Sequence, residues 1–148
     1  SSRTSSRKTS TEGSTEMAGP PVEATPTRTI ETYYQHLRDG NPLAPFFADT
    51  ETTVKFGISE SLWGGDRVAA GLREQTETTT DWAVESRNLT ADQRGDVAWF
   101  ADDVGLSWTD TEREARHEFD TRWSGTLERT AESRWQFVGM HVSTAGDS

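Results

Sequence analysis

The sequence predicts an α+β fold in which helices come first and an antiparallel sheet follows. Three observations carry this. Apolar residues recur at helical spacing up to about Thr78, and the period changes to two from Trp82 onward. Short polar turns then separate the later segments, as hairpin links between neighbouring antiparallel strands do.

The first helix is expected over Thr27–Arg38, capped by Thr27 or Thr29, with Glu31 or Thr32 in its first turn. Ile30, Tyr33, Tyr34 and Leu37 form one apolar stripe, and Gly40 ends the helix. A short second helix is expected in NPLAPFFADT, burying Leu43, Phe46 and Phe47. Residues Thr52–Ile58 read as a strand, being rich in β-branched residues. Trp63-Gly64-Gly65 makes a turn into a third helix that runs to Thr78, with Val68, Leu72 and Gln75 on one side. Strands are then expected from Trp82, over Val97–Trp108, over Arg113–Leu127 and over Arg134–Ser143. Turns fall at Gln93–Asp96 and Thr130–Ser133. In the third of these strands His117, Phe119, Thr121, Trp123 and Leu127 share a face. In the last, Val138, Met140 and Val142 oppose Trp135, Phe137 and His141, a pattern that predicts burial on both faces.

The chain has 148 residues, enough for one domain. Only 31% of it is hydrophobic, but six Trp and six Phe supply large buried areas. Residues 1–28 are rich in Ser, Thr, Pro and Gly and nearly lack large apolar side chains, so a disordered tail is expected there. The domain is expected over 29–145, with a short C-terminal tail at 146–148. The opening residues are basic and Ser-rich, as transit peptides are, yet lack an apolar helix face, and Met17 is an alternative start.

The net charge is −10, with 25 acidic against 15 basic residues. Such a surface repels phosphate backbones and argues against nucleic acid. No apolar run approaches the roughly 20 residues of a membrane helix, so no membrane partner is expected. There is no cysteine, which excludes disulfides and thiolate metal sites and fits a reducing cytoplasm. The acidic excess, the abundant Thr and a lysine count limited to Lys8 and Lys55 resemble proteins of salt-loving archaea. An Arg-rich composition from a GC-biased genome is the plainer alternative.

Several segments, in this order, resemble the SnoaL-like branch of the nuclear transport factor 2-like superfamily. They are the opening helix with Tyr33-Tyr34 and PLAPFFADT, then Val54-Lys55-Phe56-Gly57 and Leu62-Trp63-Gly64-Gly65. Gly95-Asp96-Val97-Ala98-Trp99-Phe100 and Arg122-Trp123-Ser124-Gly125-Thr126-Leu127-Glu128-Arg129 follow, and the last is Arg134-Trp135-Gln136-Phe137-Val138 with His141-Val142-Ser143. The closing Trp…His-x-Ser segment also resembles the association domain of calmodulin-dependent kinases. The resemblance implies a cystatin-like cone: a strongly curved antiparallel sheet wrapped around three N-terminal helices, enclosing a pocket. It also implies a homodimer through the outer sheet face.

Candidate pocket residues are Tyr33, Tyr34, Trp63, Trp99, Arg122 and His141, with Trp123 and Trp135 as further aromatic lining for a small organic molecule. His141 titrates near neutrality and is a candidate general base or ligand-orienting donor; a buried structural histidine is the alternative. Arg122 could fork onto a carboxylate or oxyanion, or pair with Glu118 or Asp120. Among ketosteroid-isomerase relatives a tyrosine of the first helix donates to a developing oxyanion, and Tyr34 or Tyr33 stands in the matching place. The strand at Thr52–Ile58 departs from that pattern, since it offers Lys55 and no Asp. Asp102 and Asp103 could supply an acid or form a solvated pair. His36, His117 and His141 lie on separate elements and no Gly-rich phosphate loop is present, so neither a metal nor a cofactor is expected. The leading expectation is a small-molecule-binding pocket protein. The alternatives are an acid–base enzyme of isomerase, dehydratase or cyclase type, and a structural association domain. The pocket readings require Arg122 and His141 to face the hollow.

Overall fold

The computed structural model describes residues 19–144. Its first element, α1 (Pro26–Asp39), begins one residue earlier than the apolar stripe indicates, because Thr25 is the cap: its Oγ1 accepts from the Arg28 N–H at 3.0 Å. Pro26 sits at the first helical position, where a missing N–H costs nothing. Gly40, at φ 74°, takes the left-handed conformation that closes the helix. Ahead of α1 the chain already touches the domain. The Glu23 N–H donates to the Ser133 carbonyl at 2.8 Å, and Arg134 Nη1 donates to the Pro20 carbonyl at 3.2 Å. Residues 1–18, most of the expected tail, and 145–148 lie outside the described residues.

The expected second helix is a single 3₁₀ turn, Ala44–Phe46. Pro45 has no N–H to donate, and the chain is already extended at Phe47, so the run ends after one turn. Among the described residues, two α-helices and one 3₁₀ turn therefore replace the expected three helices. Leu43, Phe46 and Phe47 are nevertheless buried as expected. The remaining elements are β1 (Val54–Phe56), β2 (Ser61–Trp63), α2 (Gly65–Thr78), β3 (Thr79–Ser86), β4 (Thr90–Arg94), β5 (Val97–Asp110), β6 (Ala115–Arg129) and β7 (Trp135–Thr144). β4 is a strand the period argument passed over, since Thr90–Arg94 carries no apolar alternation beyond Ala91.

All seven strands form one curved, unclosed sheet in the order β2–β1–β7–β6–β5–β3, with β4 also on β5. β4 and β3 lie end to end along the same edge of β5, on Val97–Ala101 and Val104–Asp110. The sheet is mixed, which corrects the antiparallel expectation. β1 runs parallel to β7, Val54 opposite Gly139 and Phe56 opposite His141. No hairpin joins these two strands, so nothing local imposes an antiparallel direction.

One irregularity decides where side chains point. On β6 and β7, Thr126 faces Gly139 while Leu127 faces Phe137, leaving Val138 as an extra residue. Before this bulge Trp135 and Phe137 are buried; after it Met140 and Val142 are, and His141 is exposed. The last strand is apolar on both faces because the buried face switches, not because both faces are covered. Gly125 makes room for the bulge, since a Cβ there would collide with the Gly139 carbonyl oxygen. The concave side of the sheet holds the core, in which Tyr33 meets Phe46, Phe137 and Trp123 edge-on at 5.4, 5.3 and 6.2 Å.

Candidate functional site

A cavity of about 380 Å³ opens between α1, α2, the β1–β2 hairpin and the concave face of the sheet. Its lining mixes aromatic and aliphatic side chains with polar ones. Trp82 and Trp108 stack at 4.7 Å with their planes 19° apart, a flat aromatic wall formed across the β3–β5 pairing. Leu37, Ile58, Leu62, Leu106, Trp123 and Val142 complete the hydrophobic lining.

Three polar side chains stand out in this setting. Lys55 is only 6% exposed, and its Nζ donates to Glu60 Oε2 at 2.8 Å. Burying an ammonium is costly unless it is paired, and Glu60 supplies the counter-charge. Tyr33 is the third. It lines the cavity at 2% exposure, and its hydroxyl makes no hydrogen bond to any described residue. Burial, with a smaller contribution from the nearby Glu60 carboxylate, pushes its pKa well above the ordinary tyrosine value. The hydroxyl is thus a neutral donor at any ordinary pH.

Tyr34, one residue on, plays a different part. It turns away from this cavity and donates to Asp102 Oδ2 at 2.9 Å. Asp102 is 5% exposed and also accepts from Ser86 Oγ at 2.6 Å and from the Asn88 N–H at 2.8 Å. It is a satisfied buried carboxylate binding α1 to β3 and β5, not half of a solvated pair; Asp103, its neighbour, is exposed. Burial first, and then the Asp102 charge, raise the Tyr34 pKa as well.

The sign of this linkage gives a prediction. A tyrosine whose folded pKa lies above its unfolded value keeps its proton longer in the folded state. Stability is complete below the unfolded value of 10.0 and falls as pH rises past it. Each of the two tyrosines should contribute a decline of about 1.4 kcal/mol per pH unit above pH 10. Urea unfolding between pH 9 and 11.5 should show this slope roughly halved in Tyr33→Phe. An unchanged slope would mean that Tyr33 ionises freely in the fold.

Of the six expected pocket residues, the cavity brings in Tyr33 alone. Arg122 and His141 are exposed and lie together on the outer face, beside Asn88, Thr90 and Ser143. The Val138 bulge is the cause for His141. For Arg122 it is strand alternation, since Trp123 and Thr121 take the inner positions. Neither reaches this hollow; they line a separate, shallower depression on the outer face, so the requirement that both face the hollow fails and any pocket reading must rest on other residues. Trp63 is 62% exposed against Phe56, and Trp99 is 41% exposed beneath the Arg94 guanidinium. Trp135 is buried elsewhere in the core under Arg129. Reading the residues in sequence missed Lys55 with Glu60 and the Trp82–Trp108 wall. One signal was available: Lys55 alternates with Val54 and Phe56, and a lone lysine in so lysine-poor a chain marks a position that needs an ammonium. Among the described residues no three His, Cys, Asp or Glu side chains gather as a metal site. Among the described residues no helix is long and apolar enough to cross a membrane.

No curated protein matches the sequence. Solved structures share its fold at low identity. A nuclear transport factor 2-like superfamily protein from Salmonella enterica superposes with a TM-score of 0.70 at 14% identity, over 80% of this chain and 87% of that one. A candidate scytalone dehydratase from Novosphingobium aromaticivorans gives 0.69 at 17%, over 81% of each chain. A candidate calcium/calmodulin-dependent protein kinase type II association domain from Thiobacillus denitrificans gives 0.66 at 18%, over 85% of this chain and 99% of that one. The model of the SnoaL-like domain matches residues 27–147, nearly the whole of the folded body, and the chain belongs to that family.

Proposed function

We propose that this chain binds a small organic molecule in the cavity between its helices and the curved sheet. In this reading the two helices, the 3₁₀ turn and the bent sheet act as a cone whose mouth is the β1–β2 hairpin. The observation that carries it is the Tyr33 hydroxyl: a buried donor with no described protein partner, lining a hollow of about 380 Å³. Buried hydroxyls nearly always have a partner, and a hollow of this size with an aromatic wall and polar groups suits a small ligand.

A second reading is favoured by one arrangement. Tyr33, Lys55 and Glu60 border the same cavity, so a donor, a cation and a carboxylate stand where acid–base chemistry of isomerase, dehydratase or cyclase type would need them. Arg122, His141 and Tyr34 have no part in either version. The homodimer expected from the family loses its argument from the last strand. It now rests on the exposed Trp63, which meets Phe56 edge-on, as His141 does. The proposal places the protein in a reducing, salt-rich cytoplasm on the grounds of composition alone.

Native mass spectrometry of the protein purified from its own cells tests both points at once. A retained small-molecule mass, lost on denaturation and diminished in Tyr33→Phe, is the expected result, on a species of twice the monomer mass. A bare chain that also leaves Trp82, Trp108 and Trp123 fluorescence unmoved by any apolar probe would overturn the binding reading. A monomer at every concentration would remove the dimer.

A further inference from the structure

The Lys55–Glu60 pair is lopsided, and the asymmetry identifies the ligand's chemistry; the argument rests on the binding reading above. The Lys55 side chain is 7% exposed and that of Glu60 is 39% exposed. Among the described residues Lys55 is the only cation lining the cavity, and little of its side chain is exposed. Glu60 is more open to water. It sits at the end of the Gly57–Glu60 turn, and its side chain lies across Gly57, where a Cβ would stand only 2.9 Å from Oε2. The turn itself is closed by the backbone, Gly57 N–H to Glu60 carbonyl at 2.9 Å. The Glu60 carboxylate can therefore swing outward without opening the hairpin. Lys55 then needs another anion, because an unpaired buried ammonium is strongly disfavoured.

The Tyr33 hydroxyl completes the arrangement. It has no partner among the described residues and lines the same cavity as Lys55 and Glu60, so it is a donor open to a ligand there. We propose that the natural ligand is a monocarboxylate with an aromatic or alicyclic body. Its carboxylate replaces that of Glu60 on Lys55 and accepts from the Tyr33 hydroxyl, while its apolar body lies along the Trp82–Trp108 wall. Glu60 is a placeholder that keeps Lys55 paired between ligands. One charge is exchanged for one charge, so the desolvation of the new ion pair is offset by the release of the old one. The other acidic lining residue, Glu74, is exposed at the rim. With the net charge of −10 it disfavours a dianion.

The test uses the full chain and three matched probes, 2-naphthoate, 2-naphthamide and 2-naphthylmethylamine, titrated by calorimetry at neutral pH. The acid should bind about tenfold more tightly than the amide, as a charge-assisted pair outweighs a neutral one. The amine should bind more weakly than either. Glu60→Gln removes the internal competitor and should tighten the acid severalfold while leaving the amide unchanged. Lys55→Met should erase the preference; if that variant does not fold, Glu60→Gln alone decides. An acid no tighter than the amide, an amine tighter than the acid, or acid binding weakened by Glu60→Gln would each overturn the proposal. Should none of the three probes bind, the cavity-binding reading falls with it. Equal binding of acid and amide would leave that reading standing and remove only the carboxylate.

Discussion

Replacing Phe137 with alanine is expected to lower the unfolding free energy by about 3–5 kcal/mol. Phe137 is fully buried and meets Tyr33 and Phe47 at 5.3 Å and Phe100 at 5.7 Å. Its backbone matters as well. Phe47 bridges to it in parallel, and the Ala48 N–H donates to its carbonyl at 2.9 Å. The ring thus ties α1, the 3₁₀ turn and the sheet at one point, where a cavity cannot collapse without moving all three. Val138→Ala, at the half-buried bulge position, should cost about 1 kcal/mol or less. Urea unfolding of the two variants makes the comparison. Equal losses would mean that the ring cluster is not what joins the layers. Because Tyr33 leans on Phe137, the same variant should also loosen any ligand held by the Tyr33 hydroxyl.

Asp102→Ala is expected to cost about 2–3 kcal/mol, since it strands the buried Tyr34 hydroxyl and takes the acceptor from two part-buried donors. Those two are the Ser86 hydroxyl and the Asn88 N–H. Tyr34→Phe removes only one of the three and should cost about 1–3 kcal/mol. Asp103 provides the control. It is exposed and its carboxylate accepts only from the Asn88 side chain at 3.0 Å, so Asp103→Ala should stay within about 0.5 kcal/mol. Thermal and urea unfolding of the three variants read the difference. If Asp103→Ala were as damaging as Asp102→Ala, the network would have been misplaced by one residue along β5.

Adjacent residues divide in the same way elsewhere. Tyr33 and Tyr34 look alike in sequence, both on the apolar stripe of α1. A helical step of about 100° sends one hydroxyl into the cavity and the other to Asp102. No local pattern distinguishes them, because the difference lies in what the sheet presents opposite each. Asp102 and Asp103 are split by strand alternation, which the sequence does carry. The missing information was that the inward position would meet a tyrosine from the helix.

Local physics determined much of this protein from its sequence alone. Capping, the apolar stripe of α1 and the glycine that ends it are short-range effects. So are the period-two strands from Val97 to Leu127 and the turns between them, and the ordered segments were enough to indicate the SnoaL-like family. Pro45 also carried its message, although a helix was expected across it. The tertiary structure decided which face is which. One extra residue at Val138 reverses the alternation, buries Met140 and Val142, and turns His141 to the outside. The parallel pairing of β1 with β7 brings Lys55 beside the concave face, from a strand far away in the chain. Both outcomes depend on pairing between distant segments, where the balance of packing and hydrogen bonds is struck over the whole sheet and no window of neighbouring residues contains it.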